Sequence, residues 1–340
     1  MRHDIERFCA RTGADPLLIQ GAGGNVSWKE QNTLWIKASG TWLADACSRD
    51  IFVPVDLADL MTKAAQSQFD VQPVVLGNSS LRPSIETLLH ALMPHTVVAH
   101  VHAVEALAHL VQANPQQALS NRLRGQDIKW ALVPYKKPGA ELARAMHATL
   151  KQIPDAEVIF LQNHGLVVGG ESVAAVENKL LQVTRLLAIT TAAQQSNAET
   201  APRPATPALQ SLGYTLLDAS NPAHALTSQP SLFKRLDSEW ALYPDHVVFL
   251  GACSWHYNDE ESARQALSKP DAPKPALIFI KDTGIFTQAH LSHAQHAQLQ
   301  CYVDVLMRLP ENEQARSLTP GEVAELLNWD AEKYRSQLSK

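Results

Sequence analysis

Two histidines one residue apart, His100 and His102, stand in the run Thr96-Val-Val-Ala-His-Val-His102. The run is apolar and β-branched, which predicts a strand. Side chains two apart on a strand share a face, so the two imidazoles point the same way. A third histidine, His164, lies in Gln162-Asn-His-Gly165, and a carboxylate, Glu86, closes Pro83-Ser-Ile-Glu86. Three histidines and one acid suit a divalent ion such as zinc. Neutral imidazoles leave the ion's charge undiminished, so it can act as a Lewis acid on a bound carbonyl. A lone histidine on an apolar strand reads instead as a core residue. Glu86 is open to three roles: a ligand, a base whose pKa burial has raised, or a carboxylate favoured at a helix start.

Other polar groups are weaker signals by themselves. The turn Gly21-Ala-Gly-Gly-Asn-Val-Ser27 lacks P-loop spacing, and no strand precedes it. It reads first as a tight turn. Together with Ser39-Gly40 and Pro83-Ser84, its amides and hydroxyls can also converge on an anion. His290, His293 and His296 recur at a spacing that fits a solvated helix better than a second metal site. His246 and His256 show no partner pattern.

The elements that must position these residues follow from pattern and punctuation. Asp4 to Thr12 is expected to be a short amphipathic helix, and Thr33 to Lys37 a strand. Pro83 precedes a helix expected over Ser84 to Met93, which Pro94 stops before the two-histidine strand. Leu142 to Leu150 reads as a helix. Glu157 to Leu161 and Leu166 to Val168 flank Asn163-His-Gly165 as a hairpin. Val173 to Ala192 is a long helical pattern. Such mixing predicts an α/β sandwich. Proline-rich linker chemistry between Gln194 and Leu209 separates a domain at residues 1–195, a linker at 196–210 and a C-terminal α/β lobe at 211–340. Val158 to Gly165 lines up with Leu277 to Gly284 at constant offset, either as a degenerate repeat or by chance. Thr283 would then stand where His164 does, leaving the second lobe without metal ligands.

A chain of 340 residues, 45% of them hydrophobic, suits one large or two medium globular domains. The net charge of −5 and the lack of a Lys/Arg block argue against a nucleic-acid binder. Cys9, Cys47, Cys253 and Cys301 are scattered, as in a reduced intracellular protein. The N-terminus has no signal-peptide core, and no run is long enough to span a membrane. The expectation is a soluble cytoplasmic protein.

Taken in order, Gly24-Asn-Val-Ser27, Ser39-Gly40, Pro83-Ser-Ile-Glu86, His100-Val-His102 and Asn163-His-Gly165 resemble the motifs of class II aldolase/adducin proteins. The resemblance covers about residues 5 to 192. Over its whole length the chain is most similar to the aldolase portion of rhamnulose-1-phosphate aldolase/short-chain dehydrogenase fusions. The resemblance implies a central, mainly antiparallel sheet flanked by helices. It implies a homo-oligomer, usually a tetramer, with sites near subunit contacts. It implies Zn2+ on His100, His102 and His164, and Glu86 as catalytic acid/base. Asn25, Ser27, Ser39, Gly40 and Ser84 match positions that hold a substrate phosphate. Tyr135, in Val133-Pro-Tyr135, resembles a proton donor of the fuculose-type enzymes, and otherwise reads as a surface or interface residue. The chain departs from the family at Ile85, where the small aldolases often carry a second serine, and this leaves room for a non-phosphorylated substrate. The implied activity is a zinc-dependent lyase acting on a sugar or sugar-acid phosphate through a metal-stabilised enediolate. Epimerase, decarboxylase and dehydratase chemistry on the same site are the alternatives, and Glu in place of the epimerases' Asp favours the aldolase. A non-catalytic, adducin-like interaction protein is the remaining alternative, disfavoured because all three histidines and the glutamate are present.

Overall fold

The computed structural model describes residues 1–189, 201–288, 290–310 and 312–329. The first half contributes seven strands: β1 (Asn25–Glu30), β2 (Thr33–Lys37), β3 (Phe52–Asp56), β4 (Val97–Val101), β5 (Trp130–Val133), β6 (Val158–Leu161) and β7 (Gly165–Gly170). They form one sheet in the order β3-β2-β1-β4-β7-β6-β5. Every pairing is antiparallel except β5 with β6.

The central strands β4, β6 and β7 are buried at every position, and apolar except at His100, because helices cover both faces, and alternation divides their side chains between two cores. Val97, Ala99, Val101, Val158, Phe160, Leu166 and Val168 pack on one face. The helices Arg2–Ala14 and Val173–Leu187 cover that face. Val98, Ile159, Leu161 and Val167 pack on the other. There the helices Leu57–Ala65, Thr87–Leu92 and Ala140–Gln152 cover them. His100 has the parity of Val98, so it points toward the second face at the end of β4.

The C-terminal half carries β8 (Thr215–Leu216), β9 (His256–Tyr257), β10 (Leu277–Ile280) and β11 (Gly284–Thr287), in the order β8-β11-β10-β9. This repeats the half-sheet β4-β7-β6-β5. In both, the last pair is parallel and the others antiparallel. Both hairpins close with the same pairing, Leu161 with Gly165 and Ile280 with Gly284. Both turns hold a residue of positive φ, Asn163 at 51° and Asp282 at 53°. The alignment of Val158–Gly165 with Leu277–Gly284 therefore has a structural counterpart. His100 faces Val167 across the sheet, and Leu216 faces Phe286, the matching residue. By register Leu216 stands in the place of His100, Asp218 in that of His102 and Thr283 in that of His164.

The expected linker begins outside the described residues, and its last residues form the short helix Pro207–Ser211. Beyond it the two halves share one core. Val104, Leu107, Val111 and Tyr135 pack among Leu226, Leu242, Tyr243, Leu299, Tyr302 and Leu306. Arg308 Nε donates to Glu105 Oε1 across the same boundary at 2.8 Å. Among the described residues no helix is long and apolar enough to cross a membrane.

Within this shared core His246 is fully buried among aromatic rings, 4.3 Å from Trp240 and 4.6 Å from Tyr302 between centroids. Burial pushes its pKa down to about 3. The unfolded chain takes up this proton near the ordinary value of about 6.5. The folded chain refuses it until far lower pH, so stability falls as pH drops through that window. Urea unfolding of metal-free protein at pH 6.5 and 4.5 should show this loss. His246→Gln should shrink the difference by roughly 2 kcal/mol. An unchanged difference would show that His246 does not set the acid limit.

Candidate metal centre and active site

His100 is the last but one residue of β4, between β1 and β7, opposite Asn25 on one side and Val167 on the other. His102 lies one residue past the strand's end at Val101 and is held by its amide, which donates to the Leu18 carbonyl at 3.0 Å. His164 sits in the β6–β7 turn. Gly165 lets this turn lie flat over the other two rings. A Cβ there would come within 2.5 Å of the Val101 carbonyl oxygen, 3.1 Å of His102 Cδ2 and 3.3 Å of His100 Cε1.

The structure brings together the three histidines that the sequence singled out. They are buried, with ring centroids 4.9, 4.9 and 5.3 Å apart, and one nitrogen of each lies within 4.8 Å of the others. The Nε2 atoms of His100 and His102 are 3.1 Å apart. Two imidazoles on one zinc ion at about 2.0–2.1 Å place their nitrogens at a similar separation. His100 Nδ1 faces the Leu166 carbonyl at 3.1 Å, and His102 Nδ1 lies 3.3 Å from Asp245 Oδ2. A proton on each Nδ1 leaves the Nε2 lone pairs directed at each other, an arrangement that calls for a cation between them. Burial pushes the pKa of His100 down and that of His164 down to about 3, so these rings are neutral at pH 7, as metal ligands must be.

Glu86 stands at the start of the helix Thr87–Leu92, but its side chain makes no capping hydrogen bond. It turns inward. Oε2 is 3.5 Å from His100 Nε2, and Oε1 is 3.5 Å from His164 Nε2. Oε1 has no hydrogen-bond partner, while Asn25 Nδ2 donates to Oε2 at 2.8 Å. Asn25 Oδ1 is in turn bonded by His90 Nε2, and His90 Nδ1 accepts from Ser27 Oγ at 2.8 Å. Burial alone would raise the Glu86 pKa, but His100, His164 and the Asn25 amide outweigh it and draw the pKa down to about 2. With the rings neutral, the Asn25 amide still favours the charged form. The expectation of a carboxyl raised by burial is thereby corrected. The group is a carboxylate, available as ligand or base. The orphaned oxygen, the inward lone pairs and the neutral rings fit a divalent cation.

The cavity at the histidines measures about 30 Å3 and is lined by Asn25, Lys37, Ser39, Gly40, Ser84 and Glu86 among others. A larger cleft of about 680 Å3 shares Ser39 and Gly40 with it and is walled by Trp42, Arg82 and His293. A second cleft of about 580 Å3 meets the same cavity at Ser39, Ser84 and Ile85, so space for a sugar-sized molecule adjoins it on both sides. His293, expected on a solvated helix, starts the helix His293–Arg308 and stacks on Trp42 at 4.8 Å.

Two of the expected site residues lie elsewhere. Ser27, matched to a phosphate position, is fully buried with its hydroxyl committed to His90, so it supports Asn25 from behind. Tyr135, matched to a proton donor, is packed in the core shared with the C-terminal lobe, under the Arg316 guanidinium at 5.7 Å. Neither lines the histidine cavity. Three residues at the site escaped the sequence reading. His90 was hidden among the apolar residues of its helix. Lys37, nearly fully buried, donates to the Ala22 carbonyl at 3.0 Å, and a lysine directly after Trp35-Ile36 was its visible signal. Asp245 comes from the other half of the chain, and nothing local marked it.

The family model described as Class II Aldolase and Adducin N-terminal domain matches residues 7–191. The uncharacterized oxidoreductase YuxG of Bacillus subtilis (strain 168) is 28% identical over 187 residues, which are 50% of this chain. The match covers 27% of YuxG, so this chain spans about a quarter of that relative. Among solved structures, the N-terminal class II aldolase domain of a Thermoplasma acidophilum protein is 24% identical, with a TM-score of 0.46, over 54% of this chain and 90% of that one. The l-fuculose-1-phosphate aldolase of Thermus thermophilus is 17% identical, with a TM-score of 0.39, over 55% and 93%. With more than half its length matched, the chain belongs to the class II aldolase and adducin family.

Proposed function

We propose that this protein is a zinc-dependent aldolase that cleaves a sugar or sugar-acid phosphate. The observation that carries this reading is the convergence of the buried His100, His102 and His164 on the Glu86 carboxylate. The three histidines would hold the ion. When bound, it supplies the positive charge that stabilises negative charge developing on a substrate carbonyl oxygen. Glu86 is the group placed to take a proton from the substrate hydroxyl as the carbon–carbon bond breaks, and to return it to the carbon left behind. Asn25 holds that carboxylate in place. Ser39, Gly40 and Ser84 line the same cavity and are suited to the anionic end of the substrate, with Lys37 adding a donor at its wall. The same reading takes the protein as a cytoplasmic homotetramer.

A screen of the zinc-loaded protein against ketose phosphates and sugar acids tests the reading. Release of a two- or three-carbon fragment, abolished by a chelator, is the expected result. An isomer formed without a fragment would reassign the site to epimerisation, and released carbon dioxide to decarboxylation.

A further inference from the structure

We propose that the C-terminal lobe is part of the metal centre, with Asp245 as a positioning residue that holds His102 in the tautomer a cation needs. The inference rests on the metal reading above. Asp245 is buried at 2% exposure at the start of the helix Pro244–Leu250. A carboxylate is kept in such a place only with partners. One is His102, whose Nδ1 lies 3.3 Å from Oδ2. Another is Gln298, whose Nε2 donates to the same oxygen at 3.4 Å. Gly23 packs against this pair without a side chain, and a Cβ there would lie 3.0 Å from both His102 Nδ1 and Asp245 Oδ2.

An acid on the outer nitrogen of a ligand histidine sets which nitrogen carries the proton and raises the basicity of the other. His100 has its outer nitrogen held by a backbone carbonyl of its own sheet, whereas His102 has its outer nitrogen held from the other half of the chain. A neighbouring stretch of that half also grips the third histidine's turn. Asn163 Nδ2 donates to the carbonyls of Leu242 at 2.8 Å and Arg316 at 2.7 Å, and Arg316 Nη1 donates back to Asn163 Oδ1 at 3.0 Å. Leu242 and Asp245 lie within one turn of chain, so one short segment sets His102 directly and steadies the residue before His164. Among the described residues 1–189, no group replaces Asp245 at His102 Nδ1.

The test is Zn2+ affinity of the intact chain, read by chelator competition and independent of turnover. D245A is expected to bind Zn2+ about 10–100-fold more weakly than wild type, and D245N to fall between them, with the metal-free far-UV circular dichroism unchanged. Long-range 15N–1H correlation on metal-free wild type is expected to show His102 protonated at Nδ1. That measurement decides the matter even if D245A fails to fold. Affinity within twofold of wild type in folded D245A, or a His102 protonated at Nε2, overturns the role of Asp245 and leaves the metal reading standing. A wild-type chain that binds no Zn2+ overturns the metal reading, and this inference with it.

Discussion

Replacing His100 with alanine is expected to abolish stoichiometric zinc binding and to lower carbon–carbon cleavage by about a thousandfold or more. The size follows from what a catalytic ion supplies, several kcal/mol of stabilisation to developing charge, with each 1.36 kcal/mol worth a factor of ten. His100 is the central member of the group. Its Nε2 is 3.1 Å from that of His102 and 3.5 Å from Glu86 Oε2. Its loss leaves too few imidazoles for a tight site. The substitution also opens a cavity in a fully buried position, so the variant must be shown folded by circular dichroism before its metal content is read. His164→Ala, at the margin of the cluster, provides the parallel measurement. Metal analysis by mass spectrometry decides the point, and a folded His100→Ala that keeps one zinc per chain and its turnover would remove the metal from the mechanism.

The second large effect is expected at Glu86. Glu86→Gln preserves shape and can still present an oxygen to Asn25 Nδ2, but it cannot take a proton. The turnover number should drop about 10²–10⁴-fold, the range for a positioned acid–base group. Zinc should stay bound, because three histidines remain. The ratio of the two effects is diagnostic. A variant that loses zinc and rate together would make Glu86 chiefly a ligand, whereas one that keeps zinc and loses kcat at similar KM makes it the proton carrier. Full activity in Glu86→Gln would end the proposed role.

The metal constellation was legible in the sequence because it depends on local rules. Alternation along a strand placed His100 and His102 together, and a turn before Gly165 delivered His164 to the neighbouring strand. Proline at position 83 announced the turn that brings Glu86 in, although the helix begins at Thr87 and not at Ser84. The hairpin echoed at Leu277–Gly284 was visible as a faint alignment, and strand order and register turned it into a repeated half-sheet. What stayed hidden required packing between elements. Ser27 was matched to a phosphate position by the family resemblance, but His90 from the adjoining helix takes its hydroxyl. Tyr135 lies just past β5, where a docked lobe covers it. The direction of the Glu86 pKa was misjudged for a related reason. Burial is visible in a sequence pattern, but the nearby amide and imidazoles that oppose it are not.

The core that joins the two halves bears on where this protein can be cut. The stretch recognisable by family motif ends at residue 191, and excising it there would strip Val104, Leu107, Val111 and Tyr135 of the side chains that cover them. A contiguous apolar face would meet water, a hazard for solubility. The recognisable stretch is therefore a poor choice for expression alone or for grafting onto another enzyme. The smallest portable piece extends past the second sheet to Leu326, and a homology boundary drawn along the sequence runs through the middle of one packed body.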